Sequence, residues 1–174
     1  MREISLNKRL ATTIKALLAL LILMALLVGV MGREKSLEVV FGAFEVGVVD
    51  FPSLTLTAKP NQFLVCPAGF CGATPHMISP VFAYPVDILR QRWMAMLAAQ
   101  PRIEAGAADE GGMQFDFIQR TKLMHYPDSI TVRFIPLADG QSTLAIYSRS
   151  HYGRSDFGVN QARILSWFGF LEQY

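Results

Sequence analysis

SRSHYGRSDFGVNQARI, residues 148–164, is the stretch around which this chain of 174 residues is organised. Its first residues continue an alternating pattern that predicts a strand ending near Ser150, and Gly153 permits a turn. Ser155 or Asp156 then suits the N-cap of a last helix, because their side-chain oxygens accept hydrogen bonds from free helical amides. The stretch therefore predicts strand, turn and helix, and it is the densest cluster of reactive and charged side chains in the chain.

The charged residues of this stretch are candidates for a site, and their arrangement is open to three interpretations. Asp156, Asn160 and Arg163 have the spacing i, i+4 and i+7, which places them on one helical face. The first interpretation is a structural lock between strand and helix. The second is an anion- or partner-binding site, in which Arg149 and Arg154 clamp a phosphate or carboxylate beside the helix N-terminus. The carboxylate of Asp156 argues against the second, because it would occupy and neutralise the same position.

The third interpretation is a hydrolase, which rests on the residue types of a catalytic triad: Ser148, Ser150, His151, Ser155 and Asp156. A triad needs a spatial relay and an oxyanion hole, and the sequence here has no G-x-S-x-G elbow. Residues crowded into one turn rarely form such a relay. The sequence therefore favours a non-catalytic role and assigns no catalytic residue.

Segments with a period of two predict the strands of a sheet. They are, in chain order, residues 61–65, 102–107, 113–118, 130–135 and 143–150. Turn signals separate the later ones, and Asp139-Gly140 is the strongest of these. Tight turns between adjacent strands predict an antiparallel sheet of about four or five strands with one buried face.

Two helices are predicted to cover the buried face of this sheet. The first spans Val86 to Ala99, and its apolar face is formed by Leu89, Trp93, Met96 and Leu97. The last spans about Phe157 to Glu172, with a core face formed by Ile164, Leu165, Phe168 and Leu171. The fold class is therefore α+β, with the other face of the sheet solvated or covered by the Pro-rich segment 52–85.

An apolar run without charge, Ala16 to Gly32, follows a basic N-terminus. With Leu10 to Ile14 added, and the stem of Lys15 reaching toward the headgroups, about 20 residues match a hydrocarbon core of roughly 30 Å. A cleaved signal peptide is the competing interpretation, but its apolar region usually has about 7–15 residues and ends in a small-x-small site. We favour an uncleaved transmembrane helix over residues 10–32, which makes the lipid bilayer a predicted partner.

Charge predicts the orientation of this helix. Of the 16 basic residues 4 precede Ala16, against 1 of the 14 acidic residues, which leaves 12 basic and 13 acidic residues after it. The positive N-terminus predicts a cytoplasmic end, with the C-terminal domain in the periplasm at the inner membrane. The nearly neutral remainder lacks the basic stripe of a nucleic-acid-binding domain, so no nucleic-acid partner is predicted.

The predicted organisation has four parts. A basic cytoplasmic tail covers residues 1–9, and the transmembrane anchor covers residues 10–32. A juxtamembrane segment covers residues 33–59. The remaining residues, 60–174, are long enough for one α+β domain with its own core.

Cys66 and Cys71 lie close together in the segment CPAGFC. In an oxidising periplasm they can form a disulfide, since Pro67 and Gly69 allow a turn that brings the Cα atoms within about 7 Å. Free structural thiols are the second interpretation. A zinc site would need two further ligands, and the three histidines have no ligand-like spacing, so neither a metal nor a cofactor is predicted.

The motif S-R-S-x-x-G-R-S-D-x-G-x-N-x-x-R-I, residues 148–164, resembles the signature end of the bacterial and plastid family filed as domain of unknown function 1499. The preceding YPDSITVRFIPL, residues 126–137, is similar to that family's strand before the signature, and Trp93 is also similar. The resemblance covers roughly residues 60–171. Many members have a further Arg where this chain has His151. The resemblance implies a domain and no activity.

The sequence predicts a single-pass, membrane-anchored envelope protein whose domain binds or scaffolds rather than catalyses. The candidate site residues are Arg149, Arg154, Asp156, Asn160 and Arg163, and the expected partner is an envelope protein or an anionic ligand. The alternative is a carrier of a lipid or small apolar ligand, and a hydrolase is the third interpretation. A cavity above about 300 Å³ between sheet and helices would favour the carrier.

Overall fold

The computed structural model of the protein describes residues 2–172, and the side chains of residues 9–171. Met1, Gln173 and Tyr174, which belong to the predicted tail and domain, lie outside the described residues. The chain divides into two compact units, with the boundary between Ala43 and Phe44.

The first unit consists of two helices. α1, Arg2–Met31, carries the apolar run, and its segment Arg9–Met31 is long and apolar enough to cross a membrane. The leucines of this segment are exposed on all sides, as in a lipid-facing helix. α2, Arg33–Phe41, was not predicted; it lies between Gly32 and Gly42, whose φ angles of 80° and 85° interrupt the helical backbone.

The second unit is built on a six-stranded sheet with the order β2-β1-β6-β5-β4-β3. The strands are β1 (Gln62–Cys66), β2 (Met77–Ile78), β3 (Ile103–Ala108), β4 (Gln114–Arg120), β5 (Pro127–Pro136) and β6 (Ser142–Ser150). Every pairing is antiparallel except that of β2, which lies parallel to β1. The α+β class is confirmed, but the sheet is mixed and has one strand more than expected, because a two-residue strand is too short to show a period of two.

Helices α3 (Val86–Ala98) and α4 (Val159–Glu172) follow in this unit, and both contribute to its main core. The predicted apolar face of α3 is confirmed, since all four of its residues are buried. In α4 the prediction for Leu165 was wrong, because Leu165 is exposed and Trp167 is buried instead. The rings of Trp93 and Trp167 meet edge to face at 5.5 Å between centroids and fill the core between helices and sheet.

The opposite face of the sheet carries a second, smaller core. Val49 and Phe51 pack there against β1 and β6, so part of the segment predicted as juxtamembrane lies within the second unit. Cys66, at the end of β1, forms a disulfide with Cys71 across a Cα–Cα distance of 6.2 Å. The disulfide holds residues 67–70 as a tight loop beside this smaller core.

Candidate functional site

A buried polar network joins the end of β6 to the start of α4. Asn160, in the first turn of α4, has no exposed surface, and its Oδ1 accepts hydrogen bonds from Ser148 Oγ and, at 2.7 Å, from Arg163 Nη1. Its Nδ2 donates to Ser150 Oγ at 3.1 Å and lies 3.3 Å from the carbonyl oxygen of Asn61. A single amide therefore contacts β6, the residue that precedes β1, and its own helix.

Arg163 and Asp128 add an ion pair to this network. Their side chains are 8% and 3% exposed, and Arg163 Nη2 donates to Asp128 Oδ2. The other carboxylate oxygen of Asp128 accepts from Ser150 Oγ at 2.6 Å, and Arg163 Nη1 donates to Ser148 Oγ at 3.0 Å. Each charge is thus paired and hydrogen-bonded, which is the condition for burying it.

Asp156 caps the start of α4. Its carboxylate accepts from the backbone amides of Gly158 at 3.1 Å and Asn160 at 2.8 Å, and from Asn160 Nδ2 at 2.7 Å. Burial alone would raise the pKa of Asp156, but these hydrogen bonds favour the charged form and lower it below its usual value. Asp156 precedes the helix, so it shares no helical face with Asn160 and Arg163; it reaches Asn160 as a cap.

Three of the five candidate residues, Asp156, Asn160 and Arg163, therefore contact one another within the fold. Their hydrogen-bonding groups are directed at strand, turn and helix, which supports the interpretation of this cluster as a structural lock. Arg154 is exposed in the turn that follows β6, outside this network. The serines and the histidine of the stretch do not form a triad: Ser148 Oγ and Ser150 Oγ are hydrogen-bonded to Asn160 and Asp128.

Arg149 lies on the other face of the sheet, because it alternates with Ser148 and Ser150 along β6. It lines a half-open pocket of about 250 Å³. The other lining residues are Glu45, Thr57, Lys59, Asn61, Gln62, Tyr147, Ser150 and His151. The structure thus separates Arg149 from the rest of the predicted cluster and gives it a concave surface of its own.

Hydrogen bonds fix the floor of this Arg149 pocket. Tyr147 Oη donates to Gln62 Oε1 at 2.6 Å, and Gln62 Nε2 donates to the carbonyl oxygens of Thr57 at 2.6 Å and Lys59 at 2.8 Å. Arg149 Nε donates to Ser129 Oγ at 3.4 Å, and its guanidinium lies 5.6 Å from the centroid of the Tyr147 ring. The guanidinium is therefore held by a hydroxyl and an aromatic ring, and its charge also attracts the half-buried carboxylate of Asp116.

His151 forms another part of the pocket wall. Burial, and then the charge of Arg149, lower the pKa of His151 to about 4, so its imidazole is neutral at neutral pH. Its ring lies 4.9 Å from the ring of Phe44, and its Nε2 is buried without a hydrogen-bond partner among the described residues. In the Nε2–H tautomer this atom is a buried donor whose hydrogen bond is unused among the described residues.

The charges that line the pocket favour a small anion. Arg149 and Lys59 are cationic, Glu45 is the carboxylate of the lining, and His151 is neutral. Arginine binds carboxylate and phosphate oxygens through two parallel hydrogen bonds. Within residues 2–172 no group of three His, Cys, Asp or Glu side chains is arranged to hold a metal ion.

Sequence reasoning missed Asp128 in the lock and most of the pocket lining, including Gln62 and Tyr147. A signal was present for Asp128, which has the same parity as Ile130 and Val132 and therefore points a carboxylate toward the helix-covered face of β5. A charge on the core face of a strand needs a partner, and Arg163 is that partner. The roles of Gln62 and Tyr147 depend on contacts between segments 85 residues apart, for which the sequence holds no local signal.

Comparison with known proteins gives one match. The model of the family described as "Protein of unknown function (DUF1499)" matches residues 54–170, which covers the sheet, both helices of the second unit and the lock. No match was found among the curated proteins or among the solved structures.

Proposed function

The chain belongs to the DUF1499 family, and from that premise we propose that it is a single-pass, membrane-anchored envelope protein whose periplasmic domain binds a small anion and does not catalyse. One observation carries the proposal: Arg149 lies in a pocket, whereas Asp156, Asn160 and Arg163 are used inside the fold. The family description assigns no reaction, so the pocket is the argument for binding.

The anchor is supported by the first helix. Arg9–Met31 is uncharged except near its start, and none of it is buried within the protein. A helix of this length matches the hydrocarbon thickness of a bilayer. The basic residues that precede the apolar run favour a cytoplasmic N-terminus, which leaves the second unit on the periplasmic side.

The disulfide supports the same compartment. Disulfides persist in the bacterial periplasm and are rare in the cytosol of mesophiles, where thiols are kept reduced. Cys66 and Cys71 are joined within the second unit, and Cys66 is fully buried. A periplasmic location of this unit accounts for the bond without a special redox role.

The packing of the main core argues against the carrier of an apolar ligand. Such a carrier needs a cavity between sheet and helices, and that space holds the side chains of Trp93, Trp167 and Ile164, which are at most 1% exposed. The Arg149 pocket lies on the opposite face and is lined by polar groups. A small ligand with carboxylate or phosphate oxygens fits it better than an acyl chain.

A thermal-shift measurement on the full chain in detergent micelles tests the proposed site, with inorganic phosphate as the probe and sodium chloride at matched ionic strength as the reference. Ligand at about 100 times its Kd stabilises the folded state by about 2.7 kcal/mol. We expect this gain in the wild type, a smaller one in Arg149→Lys, and none in Arg149→Gln. Arg154→Gln removes an exposed cation of the same stretch and should keep the gain. Equal stabilisation of wild type and Arg149→Gln by phosphate, or no stabilisation of the wild type, would overturn the proposal.

A further inference from the structure

One end of the sheet presents apolar side chains among cations, and we infer that this end seats on an anionic bilayer surface. The β4–β5 turn exposes Leu123 by 76% and Met124 by 48% of their surface, and the turn before α4 exposes Phe157 by 96%. Exposed large apolar side chains grouped on two turns are typical of a surface that contacts a membrane or another protein. The inference rests on the proposed membrane anchor and extends it to the second unit.

The two turns lie at the same end of the sheet. Asp128, at the start of β5, pairs with Ser150, at the end of β6, and the backbone amide of His151 donates to the carbonyl oxygen of Pro127 at 3.3 Å. The rings of Tyr126 and Tyr152 connect the two turns edge to face at 6.1 Å between centroids. They are therefore one surface, which we call the tip surface.

Each turn is held by its own hydrogen bonds, so its apolar side chains are presented outward. In the β4–β5 turn, Thr121 Oγ1 accepts from the amide of Tyr126, and the carbonyl oxygen of Thr121 accepts from the amide of His125. In the other turn, Ser155 Oγ accepts from the amide of Phe157. The lock thus has a second consequence, since the Asp156 cap also fixes the turn that carries Phe157.

Strained backbone marks the same end. Four non-glycine residues among those described have a left-handed φ, and three of them, Arg102, His125 and Phe157, lie here with φ of 56°, 57° and 55°. A non-glycine side chain in this left-handed region is strained, and such strain concentrates at functional surfaces. Phe157 combines this strain with nearly complete exposure of an aromatic ring, which neither packing nor solubility explains.

Cations surround the apolar side chains. A groove of about 480 Å³ between α4 and the β3–β4 hairpin is lined by Arg102, Arg120, Lys122 and Arg163, with no carboxylate among its described lining residues. Arg120 forms an ion pair with Glu104, with 3.2 Å between Nε and Oε1, and Arg163 forms its ion pair with Asp128. Arg102 and Lys122 remain as positive charge, and in the second turn Arg154 adds a cation two residues from the carboxylate of Asp156. A bilayer surface is anionic and takes apolar side chains below its headgroups, so both features fit one occupant.

The anchor makes this contact favourable. Residues 32–43 separate α1 from the second unit, and 9 of them form α2, so the segment spans less than the roughly 43 Å of an extended chain of that length. A domain tethered at that distance meets the bilayer at a high effective concentration, so a few cations and apolar side chains suffice. Each cation near an anionic surface favours contact about fivefold.

Tryptophan quenching in nanodiscs tests the tip surface on the full chain. The native Trp93 and Trp167 are buried, so Phe157→Trp adds a reporter at the tip. We expect brominated lipid to quench this added emission in discs of equimolar phosphatidylcholine and phosphatidylglycerol, and less in phosphatidylcholine alone. Adding Lys122→Glu and Arg154→Glu should lower the equilibrium constant for docking at least about fivefold for each substitution. Val81→Trp is the matched control, since Val81 is exposed and adjoins Phe82, which bridges to Ser142 at the start of β6, at the opposite end of the sheet.

The outcomes separate the tip surface from the anchor. Co-flotation of the chain with the discs reports the anchor, whereas quenching reports contact of the tip. A chain that floats with equal quenching at residues 81 and 157, or with none at 157, overturns the inference and leaves the anchor standing. Equal quenching at residue 157 in discs with and without phosphatidylglycerol also overturns it. A blue shift of the added emission without quenching by lipid would show a protein occupant, and would overturn it too.

Discussion

Arg163 of α4 and Asp128 of β5 form a buried ion pair that ties the last helix to the centre of the sheet. Both side chains are at most 8% exposed, and each makes a further hydrogen bond to a serine of β6. The pair therefore sits at the junction of two strands and one helix. Its two charges compensate each other, so the cost of losing one partner is larger than the gain from the pair itself.

Arg163→Met should destabilise the protein by about 3–5 kcal/mol, because it leaves the carboxylate of Asp128 buried without a counter-charge. Urea unfolding of the full chain in detergent, followed by circular dichroism, measures the difference. The double variant Asp128→Asn with Arg163→Met should recover part of the loss. Arg154→Met is the control and should stay within about 0.5 kcal/mol of the wild type. A loss no larger in Arg163→Met than in Arg154→Met would refute the lock.

Asp156→Ala should cost about 1 kcal/mol at neutral pH, since it removes the cap of α4. The pKa of Asp156 is lower in the folded state than the ordinary 3.8, so its contribution is present above 3.8 and is lost as pH falls through the folded pKa. The difference in unfolding free energy between wild type and variant should therefore shrink in acid. Asp156→Ser keeps a capping oxygen and should recover most of the loss at neutral pH. A difference that grows in acid would contradict the assignment.

Periodicity and turn chemistry were sufficient to predict most of the second unit. The spacing of Leu89 and Trp93 gave the buried face of α3, and alternation gave five of the six strands. Alternation also places Arg149 on the opposite face from its neighbours in β6. Its proximity in sequence to Arg163 nevertheless suggested one site. Residues that are close in sequence are close in space only when they also share a face of the strand or helix.

The Arg149 pocket could not be predicted in the same way. Its walls come from residues 45–62 and 147–151, and the two segments meet only through the pairing of β1 with β6. Local propensity carries no information about such long-range pairing. The parallel strand β2 was missed for a related reason, since its two residues are held by β1 and not by their own pattern.

Replacing Cys66 and Cys71 by Ala should lower the free energy of unfolding by about 2 kcal/mol, the value for closing a loop of this length. The same measurement on wild type with and without reductant should give a similar loss. Under denaturing conditions without reductant, a maleimide should modify neither residue of the wild type. Labelling of two thiols per chain would show that the bond is absent in the native protein.

Alkaline phosphatase fused after Tyr174 should be active, because the proposed orientation exports the C-terminus and this enzyme folds only where its disulfides form. Removing the positive charges of Arg9 and Lys15 weakens the signal that keeps the N-terminus inside, so that variant should lower the activity. The same fusion in a strain that lacks periplasmic disulfide formation controls for folding of the reporter. An inactive fusion that is expressed at the normal level would indicate the opposite orientation, with the C-terminus in the cytoplasm.

His151 should make stability depend on pH between about 4 and 6.5. Its pKa is lowered to about 4 in the folded protein, against 6.5 as its ordinary value. Between these values the unfolded chain binds a proton that the folded chain does not, so stability falls as pH falls through this window and levels off below it. Since the side chain is partly exposed, we expect a loss of about 1–2 kcal/mol, less than the full shift would give.

His151→Gln should flatten this part of the curve, which unfolding free energies measured at several pH values would detect. The carboxylates titrate in both proteins, so the difference between the two curves isolates His151. Parallel curves for wild type and His151→Gln would contradict the prediction, because they would mean that the pKa of His151 is the same in the folded and unfolded chain. Phosphate in the Arg149 pocket should then be tested at pH 7, where the neutral imidazole leaves Arg149 and Lys59 as its cations.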